Sequence, residues 1–225
     1  MPDAPRAPNG RSMRMDIVLL GPPGAGKGTQ AKRLSERMGL PHIATGDVLR
    51  DALQRGTRRG SEAKAYMDRG DLVPDAVILG IMKEALAAPN AANGSLLDGV
   101  VRTEPQAEGL ERVLAELGRK VDHVLIFRIA DEEIVRRLGA RTICDRCQRP
   151  YTGRKPGEPC DSDGGRLIRR KDDEPAAVRN RLAVYERQTA PVIDWYRESG
   201  TEVTEIEATG SPDEVTKRAL GALGV

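Results

Sequence analysis

Residues 16–33 read DIVLLGPPGAGKGTQAKR, and the fold turns on how that stretch is parsed. Ile17 to Leu20 is a short apolar run, the pattern of a buried strand. A Gly/Pro loop follows at once, from Gly21 to Gly28, and Thr29 to Met38 then reads as a helix ended by Gly39. Strand, glycine loop and helix in that order form the setting a phosphate-binding loop requires. The spacing Gly21-x4-Gly26-Lys27 fits it, because small residues let successive backbone N–H groups wrap an anion. The helix start adds oriented N–H groups and a partial positive charge. Lys27 supplies a full charge. Gly28 stands where a Ser or Thr is usual, so the hydroxyl available to a Mg²⁺ ion is that of Thr29 or none.

The totals narrow the function classes. The chain has 225 residues, length for one domain or two and a substantial core. Lys and Arg number 36 against 34 Asp and Glu, a net charge of +2. That balance and an aromatic content of 3% argue against a dedicated nucleic-acid binder. No apolar run approaches the ~20 residues of a membrane span, and Ile17 to Leu20 is too short for a signal-peptide core. A cytoplasmic location is the expectation, and nothing in the pattern calls for more than a monomer. The three cysteines fall within residues 144–160, which points to a local site and not to a disulfide scaffold.

Around the loop, strands alternate with helices. Residues 1–14 are Pro-, Arg- and polar-rich without periodicity and read as a disordered tail. Strands are expected at His42 to Ala44, Ser95 to Asp98, Val121 to Ile129 and Val203 to Ile206. Helices are expected at Val48 to Arg55, Ser61 to Met67, Val77 to Ala88, Glu108 to Leu117, Glu132 to Leu138 and Asp213 to Leu223. A long helix from Glu174 towards Glu198 carries Pro175 in its first turn and Pro191 as a kink. Asp131 and Asp173 are expected as N-caps. Asn90 to Gly94 reads as a loop. The result is an α/β fold, a doubly wound parallel five-stranded sheet with helices on both faces, and ligands at the carboxyl ends of its strands. Residues 45–73 are polar and punctuated by glycines, a small hinged appendage. Residues 139–173 hold the cysteines and few aliphatics, so this insert needs a staple other than a core.

The staple is legible as Cys144-x2-Cys147-x12-Cys160-x2-Asp163. Three thiolates and a carboxylate can close a structural Zn²⁺ site. Asp161 is the weaker alternative for the fourth ligand. Neither His42 nor His123 lies near in sequence, and His123 reads as a packed strand residue.

Asp98 at a strand end is the place for a carboxylate that holds the water shell of a Mg²⁺ ion beside a phosphate loop. That loop, with His42-Ile-Ala-Thr-Gly-Asp47, Leu97-Asp98-Gly99, Arg102-Thr-x-Pro-Gln106 and Arg170-Lys-Asp-Asp173, resembles the adenylate kinases, in family order over residues 15 to 220. The resemblance implies a core of residues 15–44, 74–138 and 174–225, an AMP-binding appendage at 45–73 and a zinc-stapled lid at 139–173. It implies ATP, AMP and ADP as ligands, with Mg²⁺ as cofactor. Gly24, Ala25, Gly26, Lys27, Gly28, Thr29, Arg137, Arg141 and Gly210 would hold ATP. Thr45, Arg50, Asp71, Val73, Gly99, Arg102, Gln106, Arg170 and Arg181 would hold AMP. Lys27, Asp98, Arg102, Arg137, Arg170 and Arg181 would serve catalysis, and Arg179 is left on the surface.

The implied reaction is reversible phosphoryl transfer from Mg·ATP to AMP. Its physical demand is cationic, since two polyanions must meet in a site that excludes water. Arginine suits this through its bidentate fork. Two departures from the family pattern stand out: Gly99-Val-Val-Arg102 replaces the usual Gly-Phe-Pro-Arg, and Ala140-Arg-Thr replaces Gly-Arg-Arg. Thr45 and Gln106 favour AMP over CMP or UMP as acceptor. The remaining alternative is an ATP-switched binding module in which the zinc knuckle contacts RNA or a protein through Arg146, Arg149, Arg154 and Lys155.

Overall fold

The structure is a computed structural model and describes residues 14–225. The expected tail lies outside the described residues except for Arg14, whose Nε donates to the Ala92 carbonyl. Five parallel strands form the central sheet: β1 (Met15–Leu20), β2 (His42–Ala44), β3 (Gly94–Asp98), β4 (His123–Arg128) and β8 (Glu202–Glu207), in the order β2-β3-β1-β4-β8. Side chains alternate across such a sheet. Val18, Leu20, Val124 and Ile126 pack on one face under α4 (Asp75–Leu86), α5 (Glu104–Glu116) and α8 (Pro191–Glu198). Ile17, Leu19, Leu125 and Phe127 pack on the other under α1 (Lys27–Met38) and α9 (Pro212–Ala222). Both faces are covered, so the inner strands β1 and β4 carry the apolar runs Ile17 to Leu20 and Val124 to Phe127, whereas the edge strand β8, EVTEIE, fully buries only Ile206.

Two elements project from this core, the first still anchored in it through Leu49 and Ala63. Helices α2 (Thr45–Gln54) and α3 (Arg58–Arg69) form a hairpin. Helix α6 (Asp131–Gly139) leads into a second, three-stranded antiparallel sheet of β5 (Arg141–Cys144), β6 (Pro150–Thr152) and β7 (Leu167–Ile168). The insert therefore has more order than its composition suggested, although its buried cluster is only Cys144, Cys160 and Leu167, with Tyr151 against it.

Several local expectations change. Helix α2 begins at Thr45, with Ala44 at the cap position, so the Thr45 hydroxyl caps nothing and instead donates to the Gly99 carbonyl at 2.8 Å. Asp131 is likewise inside α6, with Ala130 at its cap. Asp173 is drawn away from capping by Arg141 and Arg181, and Glu174 occupies the cap position of α7 (Pro175–Val184). The expected long helix is two helices joined by a π-turn, Tyr185–Thr189, with Pro191 as the first residue of α8. A π-turn carries one residue more than an α-turn, and Pro191 is placed where its missing N–H costs nothing. A short 3₁₀ turn, Pro89–Ala91, lies before β3 where a loop was expected.

Helix α9 carries a full capping box: Ser211 accepts from the Glu214 N–H, and Glu214 accepts from the Ser211 N–H. Ser211→Ala removes one half of this exchange. It is expected to cost about 1 kcal/mol, read as a lower urea midpoint with an unchanged slope.

Candidate active site

The phosphate loop follows from β1 because Gly21 can turn where no other residue could. Its φ is 140°, and a Cβ there would lie 2.6 Å from the Phe127 carbonyl oxygen on β4. Gly26 caps α1 in a left-handed conformation, φ 89°, which aims the first helical N–H groups into the loop. The Lys27 ammonium donates to the carbonyls of Gly21 and Pro22 at 2.7 and 2.9 Å. Burial pulls it down to about 8; Asp98 opposes this, while Arg102, Arg181 and Arg141 reinforce it.

A base whose pKa is lowered by folding makes the folded chain hold fewer protons between that value and 10.5, so its contribution to stability rises with pH there. Anionic phosphates reverse the shift. Nucleotide binding at about pH 8.5 is therefore expected to take up on the order of half a proton through Lys27. Calorimetry in two buffers of different ionisation enthalpy reads that uptake, which should vanish in Lys27→Met.

Asp98 ends β3 in register with Leu19 of β1 and Ala44 of β2, so its carboxylate faces the loop. His42 Nε2 lies 3.3 Å from its Oδ2. Burial alone would raise the Asp98 pKa, but the His42 contact and the Lys27 charge hold it below the ordinary range. A Cβ on Gly28 would sit 3.2 Å from the same oxygen. The glycine in place of Ser or Thr thus leaves Asp98 room, and the exposed Thr29 lines the same cleft. An ionised carboxylate and a free hydroxyl are donors that suit Mg²⁺.

One cleft of about 750 Å³ takes in the loop, the strand ends, the α2–α3 hairpin and the base of the small sheet. Lys27, Asp98, Arg50, Arg102, Arg137, Arg141, Arg170 and Arg181 all line it. So do Gly24, Ala25, Gly26, Gly28, Thr29, Thr45, Asp71, Val73, Gly99, Gln106 and Gly210. Arg179 is exposed and is not among its lining.

Cations brought this close need anions, and the chain supplies them. Arg141 makes a two-pronged contact with Asp173. Arg170 Nε donates to Asp172 at 2.8 Å, and Arg181 reaches both aspartates at 3.3 and 3.2 Å. Burial pulls the Arg181 guanidinium down to about 10 although Asp172 opposes it. Despite its own burial, Asp172 is held well below the usual carboxylate range by Arg170 and Arg181. Arg50 pairs with Asp47, and Arg137 with Glu133 and the Ala208 carbonyl.

At the other end, Gln106 is tied within the protein. Its Oε1 accepts from the Arg102 N–H at 2.8 Å, and its Nε2 donates to Asp75 at 2.7 Å. Asp71 accepts from Arg69 and from Asn180 of α7, so its side chain is occupied. Val100 and Val101 are buried in the core beneath Arg102, occupying the place of the family's Phe-Pro pair without opening a gap to solvent.

In the insert, one ligand atom from each of Cys144, Cys147, Cys160 and Asp163 falls within 4.8 Å of every other. Cys147 and Cys160 sulfurs are 3.6 Å apart, and Cys144 Sγ is 3.2 Å from Asp163 Oδ1. Tetrahedral zinc with ~2.3 Å bonds to sulfur has S···S edges of about 3.8 Å, so the four groups fit that ion. Asp161 pairs with Arg154 at 2.6 Å and is not one of the four clustered groups.

The sequence reading missed His42 as a partner of Asp98 and missed Asp172 and Asp173 as counter-ions. His42 sat in a quoted motif with no chemistry assigned. The aspartates follow Arg170 directly, and a demand for charge balance among so many arginines was the available signal.

On a parallel sheet, a phosphate loop facing convergent arginines marks the P-loop nucleotide kinases. The family description that matches is adenylate kinase, over residues 19–201. An adenylate kinase of Gemmatimonas aurantiaca is 61% identical over 213 residues, covering 94% of this chain and 100% of that protein. One from Methanothrix thermoacetophila is 48% identical, covering 89% and 94%, and one from Streptomyces avermitilis 47%, covering 93% and 97%. The chain belongs to the adenylate kinase family. Among the described residues, no helix is long and apolar enough to cross a membrane.

Proposed function

We propose that this chain transfers the terminal phosphoryl group of Mg·ATP to AMP, reversibly, giving two ADP, as a cytoplasmic monomer. The observation that carries the reading is one cleft lined by the phosphate loop, the arginines, Thr45, Gln106 and Gly210, with the loop following the central strand β1, Thr45 the edge strand β2 and Gly210 the opposite edge strand β8. ATP would lie over Gly24 to Thr29 with Arg137, Arg141 and Gly210 about it. AMP would lie against Thr45, Arg50, Asp71, Val73, Gly99 and Gln106, its phosphate met by Arg50 and Arg102.

The acceptor phosphate is already ionised, so no general base is needed. Catalysis is alignment of the two phosphates plus stabilisation of charge on the moving group. Lys27, Arg102, Arg137, Arg170 and Arg181 supply that charge. Asp98 and Thr29 would hold Mg²⁺, which neutralises charge on the outer phosphates when bound. The zinc quartet Cys144, Cys147, Cys160 and Asp163 would be structural, since four protein ligands leave no open position. Segments 45–73 and 139–173 would close over the substrates and expel water. The bond from Gln54 Nε2 in α2 to the Asp145 carbonyl, 3.0 Å, supports a shared closed arrangement.

The test is ADP formation from Mg·ATP by purified protein, with AMP, CMP and UMP in competition. Formation that requires AMP supports the reading. ATP consumption indifferent to AMP overturns it, and a CMP or UMP preference replaces the acceptor.

A further inference from the structure

Gln106 is a buried amide with two possible orientations, and its partners permit only one. The Arg102 backbone N–H can only donate, so the group facing it at 2.8 Å is Oε1. The Asp75 carboxylate can only accept, so the group facing it at 2.7 Å is Nε2. Asp75 is the first residue of α4 and stands behind Gln106, outside the lining of the cleft. Its Oδ1 is itself fixed by the Thr103 hydroxyl at 3.3 Å. A half-turn of the amide would set donor against donor at Arg102 and acceptor against acceptor at Asp75.

A primary amide has two N–H donors and acceptor capacity for two bonds. One of each is used inside the protein. One N–H and one lone pair remain for a ligand, in a fixed left-to-right order. Nucleobases come in two matching classes. Adenine and cytosine present an exocyclic amino donor beside a ring-nitrogen acceptor. Hypoxanthine, guanine and uracil present a carbonyl acceptor beside a ring N–H donor. An amide free to turn over would serve both classes equally; a locked one, facing bases held in one pose by the same sugar and phosphate, serves one class and opposes the other, and with AMP as acceptor the class served is the first.

We propose that Asp75 is a specificity-determining residue, which pins the Gln106 amide so that the acceptor site takes amino-type bases and rejects keto-type bases. This rests on Gln106 reading the acceptor base. Asp75 acts through Gln106 and touches no substrate, so it is a positioning residue. The same rule ranks CMP above UMP among any pyrimidine acceptors the cleft tolerates.

The experiment compares kcat/KM for AMP and for IMP, whose base is hypoxanthine, at fixed Mg·ATP. It uses the whole chain and the variants Asp75→Asn, Asp75→Ala and Gln106→Ala, with KM for ATP as the check on folding. Asparagine keeps the shape of Asp75 but can offer either a donor or an acceptor, so it withdraws the Asp75 half of the lock and leaves the Arg102 N–H alone to orient the amide. The AMP to IMP ratio is expected to fall by roughly ten- to a hundredfold in Asp75→Asn, the scale of one charge-assisted hydrogen bond. Turnover of IMP should rise in absolute terms, which a merely structural role would not produce. Equal losses for AMP and IMP in both Asp75 variants overturn the lock and leave the base-reading role of Gln106 standing. A preference for AMP over IMP that survives Gln106→Ala overturns that role instead.

Discussion

Replacing Lys27 with methionine is expected to lower kcat for ADP formation by about 10²–10³-fold, the scale of removing one preorganised donor from a charge-stabilising site. Three observations set that expectation. The ammonium lies at the mouth of α1 within the loop, held by the Gly21 and Pro22 carbonyls at 2.7 and 2.9 Å. Those two bonds are weak claims on a full charge, so a phosphate can displace them. Burial, opposed by Asp98 and reinforced by Arg102, Arg181 and Arg141, already disfavours the charged form, and an arriving anion offsets it. Methionine keeps the length and packing of the stem while removing the charge. Because burial opposes that charge, the melting temperature should hold or rise in the variant. Paired kcat and melting measurements check both halves. A kcat within threefold of the parent would take Lys27 out of the phosphoryl-transfer step.

Stripping the Zn²⁺ proposed for Cys144, Cys147, Cys160 and Asp163 is expected to unfold residues 141–168 while the five-stranded core stays intact, and to abolish most activity. The buried cluster of the insert is Cys144, Cys160 and Leu167, far too little apolar surface to fix three strands. A structural Zn²⁺ ion supplies apparent folding free energy of about 10–16 kcal/mol in small peptides, which dominates anything else in the segment. Arg141 lies at the start of β5 and pairs with Asp173, so a melted sheet also loosens the cationic side of the cleft. Chelation followed by limited proteolysis should cut first between 145 and 166, with the core transition in a denaturant melt unchanged. Cys144→Ser should do the same with metal present, and more severely than Cys147→Ser, since Cys144 is buried and Cys147 exposed. A lid that resists protease after complete metal removal would refute the staple.

The parallel sheet was legible because its inner strands β1 and β4 carry short apolar runs, one followed by a glycine loop and the other by a helical period, and because Val203 and Ile206 still mark the polar edge strand β8. The phosphate loop was legible because its glycines answer to backbone geometry, as at Gly21, and not to distant packing. Caps were less so. Asp131 and Asp173 have the right chemistry for a cap, but helix starts depend on which neighbour offers a better partner, and Arg141 outbid the helix for Asp173. The small sheet at 141–168 escaped notice because its strands are only two to four residues long, too short for a period to show, and the burial of β5 comes from its fold and not from an apolar run. Among the site residues, the arginines announced themselves through motif order, whereas their aspartate partners and the His42 contact with Asp98 were a matter of three-dimensional charge balance.

The π-turn at Tyr185–Thr189 has a consequence for chain length. Each residue of an α-helix advances the side chains by about 100°. Helix α7 directs Arg181 into the cleft, and α8 directs Val192, Ile193 and Tyr196 into the core. A π-turn takes one residue more than an α-turn to go once round the axis, so with one residue deleted between 185 and 189 an unbroken α-helix would form with its two halves in nearly the same phase. Arg181 would still face the cleft and Tyr196 the core. The same deletion in the last turn of α7 has no surplus residue to remove and would turn Arg181 and Tyr196 apart by about 100°. A single-codon deletion is therefore expected to be better tolerated within the π-turn than in the α-turns on either side of it.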